Sequence, residues 1–166
     1  LKWNYTASIP AEDAMFPTTI SADGQYIIAN TYGHNILLFH KDSNEPLWSY
    51  EIPENTVIFS IAISADGEFI VAGVHNDNLY LFNKDSNEPL WNYSVAESDE
   101  CTWSADISAD GHYIAAGSRC MGDDTNDTIY LFNKDSNEPL WNYTTESAGS
   151  DTPTVVISSN SEYIAA

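Results

Sequence analysis

The chain is 166 residues long, 43% apolar and 13% aromatic, enough to bury the core of one ordinary domain and unlike a disordered acidic tail. Its 25 acidic residues face five basic ones, and a formal charge of −20 repels phosphate backbones and anionic lipid heads. Nucleic acid and membrane surfaces are therefore not expected partners, and no apolar run approaches the roughly 18 residues that a membrane helix requires.

Residues 1–5, Leu-Lys-Trp-Asn-Tyr, read as the last strand of a repeat unit, and the chain reads as an excerpt of a longer one. A first full unit spans 6–50, with a Ser-Ala-Asp-Gly turn at 21–24 and Lys-Asp-Ser-Asn-Glu-Pro at 41–46. In the second unit, 51–93, the β-branched run 57–64 predicts a strand that ends at Ala65-Asp66-Gly67, where Gly is free to take a positive φ. A second strand is expected over 68–74 and a third over 78–84. The turn Asp85-Ser86-Asn87-Glu88 then leads into a fourth over 89–93. The third unit, 94–143, repeats the fourteen residues 80–93 without change at 130–143, and 144–166 hold the first two strands of a further unit.

Trp48, Trp91 and Trp141 mark the period at 43 and then 50 residues, too long for one strand and right for one supersecondary module buried by its neighbours. Runs such as Leu79-Tyr80-Leu81-Phe82 place apolar groups on both faces of a strand, which suits a sheet sandwiched between two others. With four short strands per unit and no helical periodicity, the predicted fold is all-β. It is a β-propeller segment of four-stranded antiparallel blades, three complete and partial at both ends. The repeated Trp is expected to lock adjacent blades as a large apolar side chain.

Two stretches carry a family likeness. The run Leu81-Phe82-Asn83-Lys84-Asp85-Ser86-Asn87-Glu88-Pro89-Leu90-Trp91 resembles the tryptophan-docking motif of quinoprotein-like propellers, with Asn83, Ser86 and Asn87 standing for the family's Asp, Thr and Gly. The run 63–73, Ile-Ser-Ala-Asp-Gly-Glu-Phe-Ile-Val-Ala-Gly, resembles the first hairpin of WD-repeat proteins, although the unit closes on Leu-Trp in place of Trp-Asp. Some quinoprotein-like relatives oxidise alcohols with pyrroloquinoline quinone and calcium. That chemistry implies cationic partners for the quinone and often an adjacent cysteine pair, whereas this chain has one arginine, Arg119, and no adjacent cysteines.

An antiparallel meander sends the repeated turns to one rim of the blade and the variable connections to the other. Between 117 and 129 six residues are inserted relative to 73–79. The stretch Met-Gly-Asp-Asp-Thr-Asn-Asp at 121–127 gathers Asp123, Asp124 and Asp127, hard oxygen ligands of the kind calcium takes. The spacing Asp-x-Asp-x-Asp-Gly is missing, so a calcium loop and a solvated polar loop both stand as readings. A hairpin closed by Ser108 and Tyr113 sets Cys101 opposite Cys120, where a disulfide or two separate thiols would sit. Glycosylation sequons at Asn4, Asn92, Asn126 and Asn142 fall towards the same variable rim. The four histidines are dispersed, and neither a nucleophile elbow nor a phosphate loop is present.

The expected function is a non-enzymatic scaffold, extracellular or at the cell surface, that presents acidic variable loops to a protein, glycan or cation. No cofactor is expected beyond calcium. Two alternatives are a fragment of a secreted quinoprotein-like oxidoreductase with catalytic blades elsewhere, and an assembly module whose exposed blade faces join further blades or other copies of the chain.

Overall fold

The structure, a computed structural model, describes residues 3–5, 17–31, 34–53, 57–75, 78–94, 101–120, 127–145 and 154–166. Its described elements are all strands apart from short turns. The first sheet is built from β1 (Thr18–Ile20), β2 (Tyr26–Thr31), β3 (Asn35–His40) and β4 (Trp48–Glu51), the second from β5 (Ile58–Ile63), β6 (Phe69–Val74), β7 (Asn78–Asn83) and β8 (Pro89–Ser94). The third contains β9 (Cys101–Ile107), β10 (Tyr113–Cys120), β11 (Thr128–Asn133) and β12 (Pro139–Thr144), and a two-stranded sheet of β13 (Val156–Ile157) and β14 (Ile164–Ala165) follows. In each sheet strands adjacent in sequence pair antiparallel, the meander expected of a propeller blade.

The core lies between blades, not within them. Strand alternation divides each blade's apolar residues between two neighbours. Ile70, Ala72, Val74, Tyr80 and Phe82 pack towards blade one against Ile28, Ile36 and Leu38. Val71, Leu79 and Leu81, on the opposite face of the same sheet, pack against Ala105, Ile107, Ile114, Ala116, Tyr130 and Phe132 of blade three. The middle blade is thus buried on both faces, which is why its inner strands β6 and β7 carry no polar alternation, while the outermost strand β8 alternates half-buried and exposed residues.

Blades two and three end on the same irregularity. Leu81 stands opposite Trp91 and Phe82 opposite Pro89, so Leu90 is extruded from the ladder, and the step recurs at Leu131/Trp141 and Phe132/Pro139. The extrusion explains why Leu90 and Leu140 are exposed although apolar. A further bulge between Ile58 and Ser60 shifts the start of blade two.

Candidate interaction surfaces

The repeated turns form one rim, and their polar side chains are occupied by the fold. In the first turn of each blade a serine hydroxyl donates to the aspartate two residues on and accepts the amide five residues on. The pairs are Ser21 to Asp23 and from Tyr26 (3.0 Å), Ser64 to Asp66 (2.7 Å) and from Phe69 (3.0 Å), and Ser108 to Asp110 (2.6 Å) and from Tyr113 (2.9 Å). The Ser21 hydroxyl, with the Gln25 amide behind it, holds the Asp23 carboxyl below its ordinary 3.8. The Ser108 hydroxyl and the His112 amide do the same for Asp110. Neighbouring turns are tied by the Ala65 amide to the Ala109 carbonyl at 3.0 Å.

The second turn joins blades. Asn83 and Ser86 accept the amides of Asp85 (2.9 Å) and Glu88 (3.0 Å), closing side-chain turns of the kind Asn and Ser favour. Asn87 reaches back to the Ser49 carbonyl at 3.3 Å, and Asn137 likewise to that of Asn92 at 3.2 Å. Across the same seam the Trp48 indole donates to the Lys84 carbonyl and Trp91 to that of Lys134, each at 2.8 Å, while Trp3 reaches the Lys41 carbonyl at 2.6 Å. The indoles also pack on Phe82, Phe132 and Phe39, with ring centroids 5.6–5.8 Å apart. Lys84 bridges Asp85 (2.9 Å) and Glu68 (3.2 Å), and hydrogen bonds to these carboxylates, that of Asp85 first, raise its pKa, while the Lys134 ammonium pairs with Asp135 and lies over the Phe69 ring of blade two, 5.6 Å from its centroid.

At the third seam this pattern opens. Ile129 and Leu131 occupy the positions at which Leu79 and Leu81 are fully buried, yet they line a groove of about 580 Å³ together with Trp141, Tyr143, Ile157 and Ile164. Trp141 is 43% and Tyr143 62% exposed. The two-stranded sheet is held to blade three by the Ile157 amide on Asp106 (2.8 Å) and the Val155 amide on the Ser104 hydroxyl (3.2 Å). Asp106 and Ser104 were not among the residues singled out in the sequence, whereas Asn83, Ser86 and Asn87 stood there in the tryptophan-docking likeness and form the turn and seam bonds described above. For the bonds of the turns, the exact repetition of Ser-Ala-Asp-Gly and of Asn87 at Asn137 was the available signal.

On the opposite rim the structure describes less. Asp123, Asp124 and Asn126 lie outside the described residues. Asp127 precedes β11, and its Oδ1 is buried without a hydrogen-bond partner among the described residues. Among those residues no three His, Cys, Asp or Glu side chains converge as a metal group. Cys101 and Cys120 stand directly opposite each other in the β9–β10 register. Asn4, Asn92 and Asn142 are exposed, and the latter two lie two residues before the ends of the outermost strands β8 and β12. Of the histidines, His40 packs against Tyr26, His75 against Phe59, and His112 lies 3.5 Å from Asp110; they share no site. Among the described residues no helix is long and apolar enough to cross a membrane.

Solved structures share this arrangement. The structure of U3-55K matches with a TM-score of 0.65 at 14% identity, over 84% of this chain and 41% of that one. The WD40 repeats of RRP9 match with 0.66 at 14% identity, over 84% and 40%. A protein of unknown function from Bacteroides caccae matches with 0.57 at 21% identity, over 74% and 42%. This chain therefore spans less than half the length of each. No protein-family model matches it, and neither does any curated protein. At such identities the likeness is one of fold: the chain folds as β-propeller blades of the kind found in WD40 repeats.

Proposed function

We propose that this chain is a non-enzymatic scaffold that binds a protein partner through the rim opposite its repeated turns, outside the cell or at its surface. The contrast between the two rims carries this reading. On the turn rim identical strings recur, and their serines, asparagines and lysines are engaged with their own turn or the next blade. On the other rim the connecting segments differ in sequence and length, most of all 95–100 and 121–126. Varying segments on a rigid frame are the usual construction of a binding surface. The charge of −20 favours a partner with a basic face. The WD40 likeness supports a protein-binding role, and exposed Asn92 and Asn142 within sequons support the location. The tryptophan-docking likeness enters as the blade lock made by Trp48 and Trp91. Quinone chemistry gains no support, because Lys84 and Lys134 are already held by carboxylates of their own turns.

A second reading, assembly through blade faces, is favoured by the exposed Trp141 and Tyr143. One experiment separates the two. The chain is used to capture proteins from an extracellular fraction in three forms: wild type, a variant shortened at 121–126 to the length of the blade two connection, and Trp141→Ser with Tyr143→Ser. Loss of the captured protein with the shortened variant alone is the expected result. Loss with the face variant, together with concentration-dependent sedimentation of the wild type, would favour assembly. Identical capture by all three would overturn the rim reading.

A further inference from the structure

Strands β9 and β10 keep an unbroken register from Ile107 opposite Ile114 to Cys101 opposite Cys120. The type of each pair follows from the turn. The Ser108 amide donates to the Tyr113 carbonyl at 2.9 Å, which makes that pair a hydrogen-bonded one. Hydrogen-bonded and non-bonded pairs alternate along an antiparallel ladder. Asp106/Ala115, Ser104/Gly117 and Thr102/Arg119 therefore fall at hydrogen-bonded positions, whereas Ala105/Ala116, Trp103/Ser118 and Cys101/Cys120 fall at non-bonded ones.

That parity matters for sulfur chemistry. Directly opposed residues share a face of the sheet, and at non-bonded positions their Cα atoms approach to about 4.5 Å, closer than at bonded ones. The separation lies within the roughly 4.4–6.8 Å that a disulfide spans. Blade two shows how easily the match is lost, since its bulge between Ile58 and Ser60 shifts the ladder by one residue at the corresponding level. Blade three has seven successive pairs and no such shift.

We propose that Cys101 and Cys120 of the same chain form a cross-strand disulfide that clasps the open end of the β9–β10 hairpin. A thiolate of one cysteine attacks an oxidising disulfide such as glutathione disulfide, giving a mixed disulfide and releasing one thiol. The second thiolate then attacks the protein sulfur of that mixed disulfide and releases the other. Two protein thiols give up two protons and two electrons, one S–S bond forms in the protein, and the oxidant's S–S bond becomes two thiols. The bond would fix the separation of the two points at which segments 95–100 and 121–126 join the sheet. It does not depend on the rim's binding role, and its test reads sulfur alone.

The native chain is equilibrated with mixtures of reduced and oxidised glutathione, quenched with acid, and its intact mass and denatured thiol content are measured. The expected product is a monomer lighter by two hydrogens, with both titratable thiols lost and no glutathione adduct. Cys101→Ser and Cys120→Ser should each carry one adduct instead. Wild-type chains that keep free or glutathione-capped thiols in those mixtures, or that link into dimers, would overturn the proposal, and this readout on the wild type stands whether or not either variant folds.

Discussion

At the residue scale the fold is most exacting where the first ring of one blade's second strand lies over the glycine of the next blade's turn. Gly67 has φ +75 and Gly111 has φ +71. A Cβ at Gly111 would stand 2.5 Å from the Phe69 ring, and one at Gly67 would intrude on the Tyr26 ring in the same way. Gly24 has a similar φ, +68, but open space where its Cβ would be. The three positions therefore separate two costs that usually come together. Gly24→Ala should lose only the left-handed backbone penalty of about 1–2 kcal/mol, whereas Gly67→Ala and Gly111→Ala should add about 1–3 kcal/mol of overpacking. Urea denaturation of the three variants checks this, and equal losses would show that the ring contact contributes nothing. Ser161 takes the same place in the last hairpin at φ 61, so the conformation is demanded by the turn even where glycine is absent.

At the scale of elements the outermost strand ties each blade to the next by an indole hydrogen bond and a ring contact. Trp48→Phe and Trp91→Phe keep most of the apolar contact but leave the carbonyls of Lys84 and Lys134 without their indole donor. Each should cost about 1–3 kcal/mol, the range for an unsatisfied partly buried acceptor. Trp141→Phe, on the exposed face, should change stability by less than about 0.5 kcal/mol. Chemical denaturation followed by circular dichroism reads all three, and a comparable loss for Trp141→Phe would mean that its face is covered in solution. This hierarchy also shows what the sequence revealed. The four strands, both turns and the two-faced burial of β7 were legible because they recur as identical strings with apolar residues at successive positions. The bulge near the start of β5 was not, because the extra residue Phe59 between Ile58 and Ser60 shifts the pairing without breaking the apolar pattern. Asp106 was not either, since it bonds the amide of Ile157, 51 residues away, and the corresponding residue of blade two is Ala62. Of the candidate sites, the Cys101/Cys120 opposition could be read from the hairpin spacing, but its place at a non-bonded position required the observed Ser108–Tyr113 bond.

For the whole molecule the dominant quantity is charge. Five basic residues face 25 acidic ones, and Lys41, Lys84 and Lys134 are paired with the aspartates next to them. Most carboxylates therefore repel one another across the surface, which works against the compact state. Salt shortens the range of that repulsion from about 10 Å at 0.1 M to about 3 Å at 1 M. The urea midpoint at pH 7 should accordingly rise with sodium chloride. Acid acts in two opposed ways. Protonating repelling carboxylates relieves the charge, but Asp23 and Asp110 have folded pKa values held below 3.8 by their serine and backbone donors. A carboxylate with a depressed folded pKa contributes stability that is complete above its unfolded value and is lost as pH falls through the folded one. In 1 M salt, where repulsion is largely removed, the midpoint should hold from pH 7 down to the neighbourhood of 3.8 and fall below it. Asp110→Asn should make that acid limb shallower while leaving the plateau flat. A midpoint that drops with added salt at pH 7, or an acid limb unchanged by Asp110→Asn, would show that the turn carboxylates and the surface field do not govern stability as the geometry implies.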